Sequence, residues 1–438
     1  MLKVTKFGGS SMADAGQYRK VREILQADPG RKVVIVSAAG KRDKKDNKIT
    51  DLLYLCHAHS QYGVDCGGVF ELITSRYLEI RDELGINLEL EQEFAGLKQR
   101  LDKKTITQDE LVSRGEYFSA KLMAAFLDFE FVDAADWIRF NMDGTVDKEN
   151  SYELLQSQVR GKGVVIPGFY GVMPDGHIRT FSRGGSDITG ALAAAALDAD
   201  VYENWTDVSG MLMADPRIVK NPRVIEEITY RELRELAYMG ASVMHEETVF
   251  PVKEANIPIN IRNTNAPEEP GTMIVPNSDK IDVETVITGV AGRKGFSSVT
   301  VEKSRMNTEV GFGRKLLGCI EQMGISIEHV PSGIDMMSVI LGTNTIENCR
   351  EELTARIFRD TGADSVLIED GIALVCVVGR GMVRAKGTAA RIFSAIAREN
   401  INIRMIDQFA GEKNIILGVN EDELEKTLQI IYSEFVKD

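Results

Sequence analysis

The chain has 438 residues, with 52 Lys+Arg against 66 Asp+Glu and 43% hydrophobic residues, enough to bury an ample core without disulfide or metal staples and, at about 150 residues per domain, to make roughly three domains. A net charge of −14 repels a phosphate backbone and argues against nucleic acid as a partner. No uncharged apolar stretch approaches the ~20 residues of a bilayer span and Met1–Lys6 lacks a signal peptide's apolar run, so the expectation is a cytoplasmic protein with no membrane partner.

Leu2–Phe7 reads as a buried strand that runs into Gly8-Gly9-Ser10-Ser11, after which Asp14 precedes a helix carrying Tyr18, Val21, Ile24 and Leu25 on one face. Asp28-Pro29-Gly30 stops that helix, and Lys32–Ser37 is the next strand. Lys41–Asp46 mixes charges and suits a solvated loop. In Cys56, His57, His59 and Cys66 the spacing fits no standard zinc site, while Leu52, Leu55, Cys56 and His59 make a helix face; no metal site is expected. The five cysteines are odd in number and scattered, which suits reduced, small apolar residues.

Gly163–Ile166 and Asp200–Trp205 continue the strand pattern, with Pro174-Asp175-Gly176 as a hairpin turn. Alternating strands and helices predict a mostly parallel open α/β sheet sandwiched by helices. Thr229-Tyr230-Arg231-Glu232 is a capping box for a helix through Leu233, Leu236 and Ala237 that ends near Gly240. The Pro- and Gly-rich stretch Asn263–Ser278 is the candidate boundary of this first half.

Beyond it the chain repeats with an offset of 76 residues. Val299 and Val301 fall on Val375 and Val377, Gly311 on Gly387, Leu316 and Ile320 on Ile392 and Ile396, Gly324 on Asn400, and Val339–Gly342 on Ile415–Gly418. Two copies are too few for a solenoid and suit a side-by-side pair of ferredoxin-like βαββαβ modules.

Two glycine clusters suggest chemistry. Lys6-Phe7-Gly8-Gly9-Ser10-Ser11 joins a strand to a helix, so its backbone N–H groups and the helix N-terminus suit an anion; an unliganded tight turn explains a lone glycine pair equally well. Arg183-Gly184-Gly185-Ser186-Asp187 opens a small-residue helix, and Ser186 or Asp187 also suits a plain helix cap. Thr206-Asp207 follow an apolar strand, at the end where parallel sheets bind ligands. Glu116 and Arg183, taken alone, read as a solvated pair on helix and loop surfaces.

Together these pieces resemble the aspartate kinases of the amino acid kinase superfamily. The resemblance rests on Lys6–Ser11, Val36-Ser37-Ala38, Gly115-Glu116 with Ser119-Ala120, Arg183–Asp187, Trp205–Gly210, Asp215-Pro216-Arg217, Ile257-Pro258-Ile259 and Arg262-Asn263-Thr264, in the family's order. The repeat is similar to the paired ACT domains of those enzymes. The implied organisation is a catalytic domain at 1–280 and ACT-like domains at 286–365 and 366–438. The implied reaction is phosphoryl transfer from ATP, with Mg²⁺, to the side-chain carboxylate of L-aspartate, the first step towards lysine, threonine and methionine. A sister kinase of glutamate or acetylglutamate, or a silent amino-acid sensor, is the alternative.

By the same resemblance Lys6 and Asp187 are catalytic, Asp187 orienting Lys6; Ser37, Thr50, Glu116, Arg183 and Ser186 bind the amino acid. Gly8, Gly9, Ser10, Gly185, Thr206, Asp207, Leu212, Arg217 and Ser242 are nucleotide positions. Ser242 replaces a common Lys, Glu246 a common Pro, and Leu212 a Tyr of some members. Met306, Asn307, Gly311, Phe312, Gly313, Ile327, Glu328 and Ser332 match effector positions, with lysine as the expected effector, and a homodimer or dimer of dimers is expected through the ACT domains.

Overall fold

The computed structural model describes residues 1–182, 184–241, 244, 246–278, 286–408, 411 and 413–436. They divide into two compact units, one of residues 1–211, 224–230 and 243–278, the other of 212–223, 231–242 and 279–438.

The first unit is built on β1 (Lys3–Phe7), β2 (Arg31–Val36), β3 (Glu130–Phe131), β4 (Val164–Pro167), β5 (Tyr170–Val172), β6 (Ile178–Thr180), β7 (Val201–Thr206), β8 (Glu227–Thr229), β9 (Ile259–Asn263) and β10 (Thr272–Val275). Eight of them form one sheet in the order β3-β4-β2-β1-β7-β9-β10-β8, and β5 and β6 pair as a separate hairpin. Every pairing in the large sheet is parallel except β9 with β10. Central strands are apolar on both faces: Val4 and Phe7 of β1 and Val33–Val36 of β2 have no exposed surface, as expected of a sheet covered by helices on both sides. The Pro-rich stretch after Asn263 is the turn that carries the chain from β9 into β10 of the same sheet.

The helices of this unit are α1 (Ala15–Gln26), α2 (Ile49–Tyr62), α3 (Gly67–Leu84), α4 (Glu91–Asp102), α5 (Gln108–Leu127), α6 (Ala134–Trp137), α7 (Lys148–Gln158) and α8 (Gly185–Ala196). Asp14 caps α1 by accepting from the Gln17 N–H at 2.9 Å, and Tyr18, Val21, Ile24 and Leu25 are buried as their spacing predicts. In α2 the buried face is Ile49, Leu52, Leu53, Cys56 and Ser60; Leu55 is exposed, a correction to the expected face. The charged stretch at 41–46 is a loop with 41–45 exposed, as expected, anchored at its end by Asp46. Arg76 of α3, itself buried, pairs with Asp46 at 2.7 Å and donates to the Gly40 carbonyl at 3.0 Å. In α8 small residues let the helix lie close to the sheet, since a Cβ on Gly190 would come within 2.6 Å of the Tyr202 ring.

The chain continues through α9 (Tyr230–Tyr238) and α10 (Glu246–Glu254). The second unit holds β11 (Gly289–Glu302), α11 (Phe312–Glu321), β12 (Met336–Gly342), α12 (Thr343–Ile346), α13 (Arg350–Thr361), β13 (Ser365–Val378), α14 (Thr388–Arg398), β14 (Met405–Asp407), β15 (Asn414–Asn420) and α15 (Leu424–Phe435). Its five strands form one antiparallel sheet, β12-β11-β13-β15-β14. The repeat is visible residue by residue. Gly311 and Gly387 both precede a helix in the left-handed region, at φ 84° and 86°, and Gly324 and Asn400 both follow one at φ 69° and 57°, the conformation that favours these residues. The two copies are threaded through each other: Gly289–Arg293 of β11 pair with the second half of β13, Phe296–Glu302 with the first half and with β12. The register shifts between them, beside Gly295 at φ 94°.

Candidate active site

Three parallel strands end side by side and place the first glycine turn. The Gly8 N–H bonds the Trp205 carbonyl at the end of β7 (3.0 Å), and the Ser37 N–H at the end of β2 bonds Phe7 (3.1 Å). Gly40 donates to the Gly9 carbonyl at 2.8 Å, and a Cβ on Gly40 would stand 2.5 Å from Gly9. Both turns are glycine because the two backbones touch. Ser10 follows in the helical turn Gly9–Met12.

Lys6, two residues before Gly8, is buried. A buried ammonium needs a partner, and Lys6 Nζ lies 2.7 Å from Asp187 Oδ1 in the first turn of α8. Gly184 at φ 58° starts α8 with no side-chain cap, so Asp187 is turned towards Lys6 and does not cap its helix. Sequence reading missed a third member: Asn204 of β7 takes Lys6 Nζ at 3.4 Å on its oxygen and donates from Nδ2 to Asp187 Oδ1 at 2.9 Å.

A second missed element is the turn between β4 and β5. The Gly168 N–H bonds the Val36 carbonyl, and a Cβ there would lie 2.6 Å from Ser186 Oγ and 2.7 Å from its Cα. Phe169 has φ 86°, a strained conformation for a bulky residue, held by its N–H on Thr189 Oγ1 at 3.0 Å and its carbonyl on the Phe181 N–H at 2.9 Å. This turn backs the start of α8, where a Cβ on Gly185 would meet Phe169 Cα at 2.8 Å. The only sequence signal was the Pro167-Gly168 pair.

Glu116 sits in the middle of α5, 5% exposed. Its neighbour Gly115 faces Ala38, where a Cβ would stand 2.8 Å from that of Ala38, and the Tyr77 hydroxyl bonds the Gly115 carbonyl at 2.7 Å. Burial pushes the Glu116 carboxyl up to about 8, although an Ala38 backbone hydrogen bond opposes the shift. Oε2 has no hydrogen-bond partner among the described residues. Glu116 is thus a buried carboxyl, mainly protonated at neutral pH, and not the solvated surface residue that a lone glutamate suggests. Ser37 and Thr50 are half-buried, and Ile49, beside Thr50, donates to Ala39 at 3.1 Å.

The structure therefore gathers Lys6, Gly8, Gly9, Ser37, Gly185, Ser186 and Asp187 around the ends of β1, β2, β4 and β7. Thr206 ends β7 and its carbonyl takes the Thr264 N–H; Thr206 Oγ1 lies 3.2 Å from Asp207 Oδ1, and Asp207 is exposed. Arg183 and Ser242 lie outside the described residues, as does His245. Leu212 and Arg217 belong to the second unit. There Arg217 is held by Asp215 through Nε at 3.0 Å and Nη2 at 2.6 Å and lines, with Gly240, Ala241 and Arg293, a cavity of about 550 Å³.

The effector candidates lie in the second unit. Met306 is buried and Asn307 exposed, with the Asn307 N–H on the Ile334 carbonyl at 3.1 Å. Gly311, Phe312 and Gly313 open α11, and a Cβ on Gly313 would touch Met337, which bridges Ser332. Ile327 is exposed. The Glu328 carboxylate already has partners, the Tyr238 hydroxyl and Arg293 at 3.2 Å. Among the described residues no three His, Cys, Asp or Glu gather as a metal site, and no helix is long and apolar enough to cross a membrane.

The amino acid kinase family model matches residues 1–263 and an ACT domain model residues 375–435. Aspartokinase 3 of Bacillus subtilis is 39% identical over 449 aligned residues, covering 99% of this chain and 98% of that protein. The aspartate kinase of Clostridium acetobutylicum superposes with a TM-score of 0.88 at 47% identity, over 99% of this chain and 100% of its own. Aspartokinase III of E. coli, solved with aspartate and ADP, superposes at 0.72 with 25% identity over 99% of both chains, and has also been solved with lysine and aspartate. A lysine paired with an aspartate between two glycine turns, followed along the chain by a threaded pair of ACT modules, thus belongs to a chain that matches such proteins over its whole length: this chain belongs to the amino acid kinase family, among its aspartokinases.

Proposed function

We propose that the chain transfers the γ-phosphoryl group of ATP to the side-chain carboxylate of L-aspartate, giving 4-phospho-L-aspartate and ADP. The observation that carries this reading is the buried Lys6–Asp187 pair set between two glycine turns. An aspartate carboxylate, with a pKa of about 3.9, is ionised at neutral pH and needs no general base. Its oxygen attacks the γ-phosphorus as the bond to the bridging oxygen breaks, so the protein's task is alignment and charge neutralisation. Lys6 supplies the positive charge, aimed by Asp187; the N–H groups of Gly9 and Gly185 supply uncharged donors, while the Gly8 N–H, held by the Trp205 carbonyl, fixes the turn. Glu116 receives the substrate's ammonium, Arg183 its α-carboxylate, and Ser37, Thr50 and Ser186 hydrogen-bond it. Thr206 and Asp207 contact the nucleotide.

Mg²⁺ fits as a passenger on the triphosphate, held by phosphate oxygens and water, with the exposed Asp207 as the protein oxygen available to it. Bound there, it would neutralise phosphate charge. Lysine is the proposed feedback effector, its side-chain ammonium competing for Glu328; such an effector acts by binding one of two arrangements better.

One assay tests the reading: ADP release from Mg·ATP with aspartate, glutamate or acetylglutamate offered in turn, each with and without lysine. Turnover on aspartate alone, depressed by lysine, is expected. Turnover on another acceptor would replace the substrate, absence of turnover on all three would leave a sensor, and indifference to saturating lysine would remove the effector.

A further inference from the structure

We propose that Asn204 is a positioning residue of the phosphoryl transfer, fixing the direction in which Lys6 presents its free N–H. The inference rests on the reaction proposed above. Asn204 lies directly opposite Lys6 in the β1–β7 register and is 5% exposed. Its amide is used at both ends, oxygen to Lys6 Nζ at 3.4 Å and Nδ2 to Asp187 Oδ1 at 2.9 Å. The orientation of the amide is therefore set by its partners, because the reverse would put an N–H against the ammonium and an oxygen against the carboxylate.

An ammonium has three N–H donors. Asp187 takes one at 2.7 Å and Asn204 faces a second. The third is left over, and the first glycine turn lies beside it, a Cβ on Gly8 standing 3.7 Å from Nζ. Asp187 alone would leave the ammonium free to swing about a single contact. With Asn204 opposite, two contacts fix its axis, and the bond from Nδ2 holds Asp187 Oδ1 in place as well. Asp187 Oδ2 lies on the side of the second glycine turn, 3.6 Å from where a Gly184 Cβ would be. A lysine placed this way is costly to misalign, since catalysis by charge depends on donors already aimed at the transferring oxygens.

The titratable groups that the described residues bring to Asn204 are Lys6 from β1, Asp187 from α8 and Tyr202 on its own strand, whose hydroxyl bonds the Asp187 carbonyl; β9 places Ile261 beside it. Replacement by aspartate therefore makes a pH-dependent test. Protonated, the introduced carboxyl would reproduce the amide, carbonyl to Lys6 and O–H to Asp187. Ionised, it would set two carboxylates against each other, which raises the pKa of the pair.

The experiment measures kcat and KM for the wild type, N204L and N204D between pH 6 and 8.5, with Mg·ATP and aspartate. In N204L, kcat is expected to fall 10- to 100-fold while KM for aspartate stays within about threefold. In N204D, the ratio of its kcat to that of the wild type is expected to rise at least fivefold from pH 8.5 to pH 6, a recovery that a merely structural role would not produce. A wild-type kcat in N204L, or a pH-independent ratio in N204D, overturns the role of Asn204. If N204L does not fold, the N204D ratio alone decides. A wild type that releases no ADP with aspartate overturns the reaction itself and this inference with it, whereas an active wild type with indifferent variants overturns only the inference.

Discussion

Glu116→Gln separates what the buried carboxylate does for binding from what it costs the fold. In the ligand-free protein the carboxyl is 5% exposed with one oxygen unpartnered, and burial raises it from 4.5 to about 8. The folded state therefore holds this proton more tightly than the unfolded chain. The penalty is absent below pH 4.5, grows as pH rises and is complete above about 8. A shift of that size costs about 3 kcal/mol at pH 7 and about 5 kcal/mol at pH 8.5. A neutral amide of the same shape escapes it. Denaturant unfolding is expected to give the variant and the wild type similar stability near pH 5, with the variant gaining about 4 kcal/mol on the wild type by pH 8.5. Activity moves the other way. The substrate's ammonium loses a charged partner, so KM for aspartate rises roughly 10- to 100-fold. In the wild type only the ionised form binds, so KM for aspartate falls about tenfold per unit as pH rises towards 8; in the variant it is flat over that range. Equal stabilities at pH 8.5, or a KM for aspartate untouched by the change, would refute the reasoning.

Lys6→Met, which keeps the length of the side chain and removes its charge, should lower kcat by about 10³-fold or more, of the order seen when a charge on the transferring phosphoryl group is lost, and steady-state ADP release checks it. Gly168→Ala places a methyl 2.7 Å from Ser186 Cα, so the start of α8 must shift: a stability loss of about 1–3 kcal/mol and a fall in kcat are expected, read by thermal unfolding and the same assay. Glu203 is buried between Arg31 at 2.8 Å and Lys3 at 3.2 Å and also takes the Trp205 indole N–H. Glu203→Ala leaves the buried Arg31 without a carboxylate, while Lys3 keeps Asp28 at 2.8 Å, and should cost about 3–5 kcal/mol, measured by denaturant unfolding, with the larger effect at low salt. Glu328→Gln removes the carboxylate proposed to meet lysine while leaving the first unit untouched; its lysine inhibition curve should move at least tenfold to higher lysine, with uninhibited kcat unchanged.

Much of the site was legible because its signals are short-ranged. The glycine turn after β1 and the one before α8 are needed wherever backbone must pass close to backbone or to a ligand, and Gly40 against Gly9 shows that need in atoms. Asp14, Gly311 and Asn400 mark helix ends for reasons confined to one turn of chain. The repeat was legible because both copies face the same packing problem, yet the offset alone suggested modules side by side, whereas β11 and β13 each run through both. That exchange depends on strand pairing across some eighty residues, which no local pattern encodes. The charged loop at 41–46 was legible as solvated, but its anchor was not, because Arg76 lies 30 residues from Asp46.

The residues by themselves determined that Lys6 ends a buried strand before a glycine turn and that Asp187 opens a small-residue helix, since periodicity and turn chemistry act over a few positions. Only the folded sheet decided that Asn204, 198 residues away, stands opposite Lys6, that Gly168 presses on Ser186, and that Glu116 loses its water. Register and burial are properties of the assembled sheet, and they give an ordinary asparagine, glycine and glutamate surroundings that no local pattern encodes.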